Sequence, residues 1–341
     1  MTEARPLEEV LKAAFYGQWR TDLATVMGTR SDEQVGALVD RVASEQLGVP
    51  VRGALFATKS VGAVFGLELS SGEHVVLKLF DPSQSHSGLE AAHRCLKRAV
   101  EAGFPAPPAR SGLFRTEDGV TGVFYALVDG AIRDGHESSV RRELARALAD
   151  LGVILSRETP DELPLAATRR SELWPPAHRS FLKLKSASPD AAWVDQIGRC
   201  AQSVVKARDL PLVPAHFDWG VKNTRFRKES ICAVYDWDSL VAASEAELVG
   251  RAAVQFTAQW DFSAPLTPSP SESSSFVDEY QSDRGRPFSD EERLVLDAAA
   301  EYSVAQLARL ELAEGIDRGD GFLSLLRTWK RGASWTSTRR A

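Results

Sequence analysis

The sequence has few cysteines and no long apolar run. Its three cysteines are Cys95, Cys200 and Cys232, which lie far apart and do not have the spacing of metal ligands. Such residues are typical of reduced thiols in the core of a cytoplasmic protein. No apolar segment approaches the length that spans a bilayer, and residues 1–10 lack the basic and apolar regions of a signal peptide. We therefore expect a cytoplasmic protein with no membrane partner.

The sequence also lacks an excess of positive charge. It carries 41 Lys and Arg against 47 Asp and Glu, a formal net charge of -6. This balance argues against a protein that binds nucleic acid through the phosphate backbone. The 341 residues are 43% apolar and 26% charged, as in an ordinary globular enzyme. This length allows one large domain or two medium ones, and it leaves both a monomer and a homodimer open.

Hydrophobic spacing in the N-terminal part predicts helices followed by strands. Apolar residues recur at helical spacing in residues 6–48. The period then changes to that of short strands, and Ser71-Gly72 has the composition of a hairpin turn. A helix follows and stops at Gly103, beyond which three prolines block its continuation. The predicted strands are 51–57, 63–69, 74–80, 113–114 and 121–128, and the predicted helix is 89–102.

The remaining sequence is predicted to be mostly helical. Residues 139–156 carry leucines at spacings of four, three and four, as in an amphipathic helix. Residues 263–275 are rich in proline and serine, which favours a loop. Two short strands interrupt the helical pattern at 224–227 and 231–236. Further helices are predicted at 194–208 and from 289 to about 326.

A group of polar residues around the two short strands predicts phosphoryl-transfer chemistry. Asp218 and Asn223 have the five-residue spacing of a kinase catalytic loop, in which the Asp takes the proton of the acceptor hydroxyl and the Asn holds magnesium. The two strands would form a hairpin that brings Asn223 beside Asp236. Amide and carboxylate oxygens are the ligands that Mg²⁺ prefers. The spacing therefore predicts a base and two metal ligands in one place.

A single lysine lies in an apolar strand of the N-terminal part. Lys78 interrupts the run from Val75 to Phe80, and a buried lysine is costly unless it is paired. Either it reaches water at the strand end, or it faces a cleft and binds phosphates. Ser60 and Gly62, in the loop before the preceding strand, could then cover those phosphates. Glu90, near the start of the following helix, is the candidate partner for Lys78.

These residues carry a resemblance to the aminoglycoside phosphotransferase-like kinases, which are related to choline and homoserine kinases. The usual His-Gly-Asp-x-x-x-x-Asn motif of that family resembles His216-Phe-Asp218-x-x-x-x-Asn223, and its Ile-Asp-Trp resembles Tyr235-Asp236-Trp237. The segment from Glu101 to Pro107 resembles the family sequence that follows its first large helix. The resemblance extends from about residue 50 to the end and is most specific at 216–238.

The resemblance implies an α+β, bilobal protein kinase-like fold. An N-lobe with an antiparallel sheet plus a helix would bind the nucleotide, and a mainly helical C-lobe would bind the acceptor. We expect the N-lobe at 51–128 and the C-lobe at 129–341, with an N-terminal helical extension at 1–50 to which the sequence assigns no role.

The same resemblance implies a role for each motif residue. Asp218 would be the catalytic base, Asn223 and Asp236 the magnesium ligands, and Lys78 the phosphate-binding lysine. His216 would brace the loop. Asp238 resembles an additional acidic position of the family, near the metal or the acceptor.

The motif also departs from the family. Phe217 replaces the usual glycine and Trp219 a more common aliphatic residue, which puts bulk near the acceptor side, although a tryptophan here is more often a core or pocket-wall residue. Lys222 beside Asn223 is also unusual. The acidic residues Glu245 and Glu247 are interpreted as a solvated face in preference to an acceptor site.

The sequence therefore predicts an O-phosphotransferase that uses ATP and Mg²⁺ and acts on a hydroxyl of a small molecule. The proposed acceptor is an antibiotic, of aminoglycoside type or another, and GTP remains possible as the donor. A metabolic acceptor such as a sugar, choline or homoserine stays open. Two further classes are a pseudokinase that only binds nucleotide and a metal-dependent hydrolase. The presence of Asp218, Asn223, Asp236 and Lys78 together argues against the pseudokinase, and a hydrolase would leave the Lys78 strand unexplained.

Overall fold

The computed structural model describes residues 3–15, 18–28, 30–59, 61–175, 184, 189–260 and 263–330. Its contacts divide the chain into two compact units. The first unit combines Met1–His93 with Pro107–Asp129, and the second combines Arg94–Ala106 with Gly130–Ala341. The first contains an antiparallel sheet and the second is mainly helical, as the sequence predicted. The three-part division at residues 50 and 128 stays a prediction.

A five-stranded antiparallel sheet forms the centre of the first unit. Its order is β1-β2-β3-β5-β4, and adjacent strands pair antiparallel throughout. Gly72 makes the turn between β2 and β3 with a φ of 84°, a conformation that costs glycine little. The strands are β1 (Val51–Lys59), β2 (Ala63–Leu69), β3 (His74–Leu79), β4 (Phe114–Arg115) and β5 (Thr121–Ala126).

The N-terminal helices share a core with this sheet. They are α1 (Leu7–Ala14), α2 (Gln18–Met27) and α3 (Asp32–Leu47). Leu11 and Val39 from the helices lie in the same buried cluster as Phe65 and Leu77 from the strands. Burial of this apolar surface is the main force that holds the helices on the sheet. The N-terminal extension is therefore part of the core of the first unit.

Helix α4 (His86–Glu101) begins three residues earlier than the sequence predicted. The hydroxyl of Ser85 accepts a hydrogen bond from the Gly88 amide at 3.2 Å, which satisfies one of the unpaired amides of the first turn. Gly103, with a φ of 80°, follows the last turn as the sequence predicted.

The second unit contains six described helices and two pairs of strands. Strand β6 (Leu212–His216) pairs with β9 (Leu240–Ser244), and β7 (Thr224–Arg227) pairs with β8 (Ser230–Val234). The helices are α5 (Ser138–Leu155), α6 (Pro189–Lys206), α7 (Glu245–Gln255), α8 (Pro270–Arg284), α9 (Asp290–Glu314) and α10 (Phe322–Lys330).

Two sequence predictions for this unit are wrong. The proline- and serine-rich segment 263–275 is not all loop, because α8 begins at Pro270 behind a capping box of Ser269 and Glu272. The helix predicted from 289 to 326 is interrupted after Glu314, where Gly315 adopts a φ of 69°. Strands β6 and β9 were not predicted.

Candidate active site

The β7–β8 hairpin brings Asn223 and Asp236 together. Thr224 pairs with Val234 in the hairpin register, and the Tyr235 amide donates to the Asn223 carbonyl at 2.8 Å. Asn223 therefore lies just before β7 and Asp236 just after β8, at the same end of the hairpin, as the spacing predicted. Asp236 adopts a φ of 64°, a left-handed conformation that aspartate tolerates better than most residues.

Asp218 is held by two neighbours in its own loop. The Asn223 side-chain amide donates to the Asp218 carbonyl at 2.8 Å and to its Oδ2 at 2.9 Å. Both hydrogens of Asn223 Nδ2 are thereby directed at Asp218, which leaves Oδ1 as the amide atom suited to a cation. Lys222 Nζ lies 2.7 Å from Asp218 Oδ1, and the Asp218 side chain is 27% exposed.

The surroundings of Asp218 favour its ionised form. Burial raises the pKa of the Asp218 carboxyl, but the charge and hydrogen bond of Lys222, the charge of Arg251 and the hydrogen bond of Asn223 outweigh burial. Together they hold the pKa of Asp218 well below its usual range. Asp218 is therefore a carboxylate at neutral pH and can accept a proton.

Helix α7 fixes the backbone of the Asp218 loop. Arg251 Nε donates to the Phe217 carbonyl at 2.5 Å, and Gln255 Nε2 donates to the same carbonyl at 2.9 Å. The Val221 amide donates to the Phe256 carbonyl at 2.9 Å. Sequence reasoning missed Arg251, since nothing in the local sequence indicates that it reaches a loop 34 residues earlier.

His216 lies beneath the loop and contacts both sides of it. Its side chain is 1% exposed, and Nε2 donates to the Tyr235 carbonyl at 2.8 Å while Nδ1 accepts from the Ser239 hydroxyl at 3.3 Å. The ring lies edge-on to Trp219 and Trp237, with centroid distances of 5.6 and 6.1 Å. Both nitrogens are engaged, which supports the structural brace as the role of His216.

Trp219 is a core residue. It is 1% exposed, and its indole Nε1 donates to the Leu144 carbonyl of α5 at 3.2 Å. A side chain enclosed in this way packs the loop against α5 and does not offer a face to an acceptor. Asp238 is partly exposed and follows Asp236 in a short 3₁₀ helix, Trp237–Ser239, so it stays a candidate site residue beside Asp236.

The interpretation of Glu245 and Glu247 as a solvated face is wrong for Glu247. Glu247 is completely buried, caps α7 through Ser244, and lies 2.7 Å from Arg169 Nη2. Glu245 accepts from the Tyr280 hydroxyl at 2.7 Å. Both acids therefore stabilise the helical frame around α7.

In the first unit, Lys78 lies in β3 as predicted and is 6% exposed. It pairs in register with Val64 on one side and Val123 on the other, and its Nζ is 6.0 Å from the centre of the Phe80 ring. The alternative of a lysine that reaches water at a strand end is inconsistent with this burial.

The sequence predicted Gly62 above the phosphates and Glu90 beside Lys78, and the structure bears on each prediction separately. Gly62 is required by packing, since a Cβ there would lie 1.8 Å from the Leu79 carbonyl oxygen. Glu90 is exposed and its carboxylate lies 3.5 Å from His86 Nε2, an arrangement that does not support a pair with Lys78. Ser60 lies outside the described residues.

A family profile described as "Phosphotransferase enzyme family" matches residues 62–261. This range contains β2, β3, the Asp218 loop and the β7–β8 hairpin, and it is more than half of the chain. The chain belongs to this phosphotransferase family. It is accordingly a small-molecule kinase that transfers a phosphoryl group to an alcohol. A search of curated protein sequences finds no match.

Solved structures share the fold at low sequence identity. Amicoumacin kinase hAmiN in complex with AMP-PNP, Ca²⁺ and Ami is 12% identical with a TM-score of 0.62, and the match covers 89% of this chain and 94% of that one. The AMP-bound spectinomycin phosphotransferase APH(9)-Ia is 12% identical with a TM-score of 0.54, covering 88% and 96%. An ethanolamine kinase of Plasmodium vivax is 15% identical with a TM-score of 0.50, covering 94% and 91%.

The α+β, bilobal protein kinase-like fold predicted from the sequence is confirmed. Within the described residues, no helix is both long and apolar enough to cross a membrane.

Proposed function

We propose that this enzyme transfers the γ-phosphoryl group of ATP to a hydroxyl of an antibiotic, with Mg²⁺ as the metal. The observation that carries the proposal is the Asp218 loop, in which an ionised carboxylate is fixed by Asn223 beside Asp236. Phosphoryl transfer needs positioning and charge neutralisation more than covalent chemistry from the protein. The loop supplies the positioning, and Asn223 and Asp236 are suited to hold a cation that would supply the neutralising charge.

Asp218 acts as the base. The acceptor hydroxyl donates to the carboxylate, its oxygen attacks the γ-phosphorus, and the proton moves to Asp218. The bond between the γ-phosphorus and the bridging oxygen breaks, so the products are the phosphate ester and ADP. A carboxylate with a lowered pKa is a weak base, but a loose transition state removes the proton late and needs only a weak one.

Asn223 and Asp236 fit a hard divalent cation. Their oxygen atoms are of the kind that Mg²⁺ binds, and the hydrogen bonds of Asn223 Nδ2 orient the amide for Oδ1 to serve. Among the described residues, no group of three or more His, Cys, Asp or Glu side chains forms a metal cluster. Asn223 and Asp236 would hold the cation together with the nucleotide, and the charge that it would supply there is the neutralisation that phosphoryl transfer needs.

Lys78 supplies the nucleotide contact from the first unit. A lysine that is 6% exposed within a paired strand has little rotamer freedom, so its ammonium is preorganised for a phosphate oxygen. Gly62 brings the backbone of residues 61–63 against β3, and this close approach supports a role of that segment above the phosphates.

An antibiotic acceptor is supported by two proteins of the same fold, amicoumacin kinase and spectinomycin phosphotransferase. The ethanolamine kinase of the same fold marks the metabolic alternative. Because fold alone does not determine the substrate, the acceptor must be found by assay.

The test is an acceptor screen with ATP and Mg²⁺, read by ADP release and by the mass of the product. The panel contains amicoumacin, spectinomycin, hygromycin B, ethanolamine, choline and homoserine, with a reaction lacking acceptor as the control for hydrolysis of ATP. We expect one antibiotic to gain a phosphoryl group. ADP release that never depends on an acceptor would contradict the proposal, and a product from a metabolic amino alcohol alone would move the enzyme to the metabolic class.

A further inference from the structure

An exposed tryptophan contacts the lysine that pairs with Asp218. Lys222 Nζ is 2.7 Å from Asp218 Oδ1, and the same atom lies over the Trp260 indole, 5.7 Å from the ring centre. A cation within about 6 Å of the centre of an aromatic ring is attracted by the π electrons of that ring. Trp260 is 63% exposed, so most of its surface is not used in packing the fold. The three side chains therefore form a chain of contacts from Trp260 through Lys222 to Asp218.

The ion pair of Lys222 with Asp218 is a weak restraint on its own. The Lys222 side chain is 29% exposed, and a long exposed side chain loses rotamer entropy when it is held in one place. Asp236 and Asp238 are two further carboxylates of the same site that an ammonium group can approach. The contact with the indole acts on the ammonium group of Lys222 and favours its conformers over the ring. The conformer in the structure satisfies the indole and Asp218 together.

The two oxygens of the Asp218 carboxylate are held by different residues. Asn223 Nδ2 donates to Oδ2 at 2.9 Å, and Lys222 Nζ holds Oδ1. With one of these contacts the carboxylate can still turn about its bond to Cβ, whereas the two together define its plane. A base has to present its lone pair to the acceptor hydroxyl in a fixed direction, because orientation contributes to the rate of proton and phosphoryl transfer.

We infer that Lys222 and Trp260 are positioning residues for Asp218: Lys222 fixes the plane of the carboxylate, and Trp260 keeps Lys222 on it. The inference rests on the proposed function, because it gives two residues a task beside the base of that reaction. Neither residue has to touch the acceptor or the nucleotide, and the effect of Trp260 passes through Lys222. This task also accounts for the unusual lysine beside Asn223.

The contact between Lys222 and Trp260 is tested by NMR without an acceptor. In the full-length protein with lysine labelled by ¹³C at Cε, the ring current of the indole should shift the Hε protons of Lys222 upfield, and Lys222→Met identifies their signal. Trp260→Ala should remove the upfield shift, and Trp260→Phe should keep part of it. Leu294→Ala removes another exposed apolar side chain of the same unit and, as the control, should leave the signal unchanged. A Lys222 signal that is not shifted upfield, or that Trp260→Ala does not move, overturns the inference.

The effect on catalysis is tested by steady-state kinetics with the acceptor found in the screen. Lys222→Met should lower kcat by about tenfold and change the acceptor KM by less than about twofold, because orientation is lost and no binding contact is. Lys222→Arg should recover most of kcat. Trp260→Ala should lower kcat by about threefold, the effect of one exposed cation–π contact. Lys206→Met, which removes an exposed lysine of the same unit, is the control and should leave both constants unchanged.

The double variant decides whether Trp260 acts through Lys222. In the Lys222→Met protein, Trp260→Ala should have no further effect on kcat. Full losses from both substitutions, a raised acceptor KM after Trp260→Ala in both backgrounds, or an unchanged kcat in Lys222→Met overturns the inference. Thermal unfolding checks that each variant is folded. A protein that phosphorylates no acceptor fails the proposed function and with it the task of both residues, whereas a working enzyme with any of the contrary results discards the inference alone.

Discussion

Asp218 and Lys78 are held in place by different kinds of structure. Lys78 lies in the middle of a sheet, where β2 and β5 pair with its strand on both sides. Asp218 lies in a loop whose position depends on side chains, above all Asn223 within the loop and Arg251 from α7. The first arrangement relies on backbone ladders that many sequences can form, and the second relies on particular residues.

Substitutions in these two regions should therefore have different effects. A change near Lys78 can affect the contact with nucleotide while the sheet persists, because ladder hydrogen bonds do not depend on the side chain. A change in the residues that hold the Asp218 loop moves the groups to which we assign the chemistry, and an error of about 1 Å in such a site can cost about a hundredfold in rate.

Asp236→Asn should have the largest effect among the changes that leave Asp218 intact. The loss of one anionic ligand weakens the hold on the cation, so we expect kcat to fall at least about a hundredfold and the Mg²⁺ concentration needed for half-maximal rate to rise. Steady-state rates over a Mg²⁺ titration measure both. Asp209→Asn, an exposed change in the same unit, is the control, and an unaltered Mg²⁺ dependence would remove Asp236 from the metal site.

Lys78→Met should weaken nucleotide binding and preserve the fold. Loss of one charge-assisted hydrogen bond to a phosphate corresponds to about a 10- to 100-fold change in affinity. Isothermal titration with ATP measures it, and Lys97→Met, which changes a lysine of α4 that is 73% exposed, is the control. ATP affinity equal to that of the wild type would show that Lys78 is a structural residue of the sheet.

Glu247→Gln should destabilise α7, the helix that holds the Asp218 loop. Glu247 is buried with Arg169, and loss of its charge leaves that guanidinium without its anion. We expect the free energy of unfolding to fall by about 2–3 kcal/mol, measured by urea denaturation. The exposed Glu229→Gln should change it little. A comparable loss of the free energy of unfolding in both variants would mean that the buried charge of Glu247 adds no stability.

Acid should loosen α9, the helix that contacts Arg251 through Gln306. Burial raises the pKa of Glu292, but hydrogen bonds from Arg286, the Ser289 amide and Arg284 outweigh it and lower the pKa to about 2. A lowered pKa contributes stability above the ordinary value of 4.5, and the contribution is lost as the pH falls toward 2.

The Glu292→Gln variant should therefore lack about 2 kcal/mol of stability at neutral pH, with a smaller difference from the wild type at pH 3. Thermal unfolding at both pH values measures this. Glu291→Gln, at a neighbouring side chain that is 55% exposed, is the control. A difference that does not shrink in acid would contradict the assignment of the stability to this carboxylate.

Much of the fold could be predicted because its signals are local. The hairpins of the first unit have alternating apolar residues and a turn at Gly72, and the β7–β8 hairpin brings its two ends together as the spacing required. Strands β6 and β9 were missed because they pair across a long stretch of sequence, Leu212 with Ser244, and Pro214 lies within β6. The start of α8 was missed because the abundance of proline and serine in residues 263–275 favours a loop, although the segment contains the capping box of Ser269 and Glu272.

The part of the site that is local in sequence could also be predicted. Asp218, Asn223 and Asp236 are close in sequence, so their grouping could be inferred. Arg251 and Glu247 could not, because their contacts with Phe217 and Arg169 depend on how α7 packs. The burial of Glu247 is decided by a partner 78 residues away, which no local pattern reveals.

The assignment of Asp218 as the base is tested by comparing Asp218→Asn with the wild type on an acceptor identified by the screen. Rates of product formation, followed by mass, and ADP affinity are measured on the same preparations. We expect kcat to fall by about a thousandfold while ADP binding with Mg²⁺ stays close to that of the wild type. Turnover within about tenfold of the wild type would contradict the assignment of Asp218 as the base.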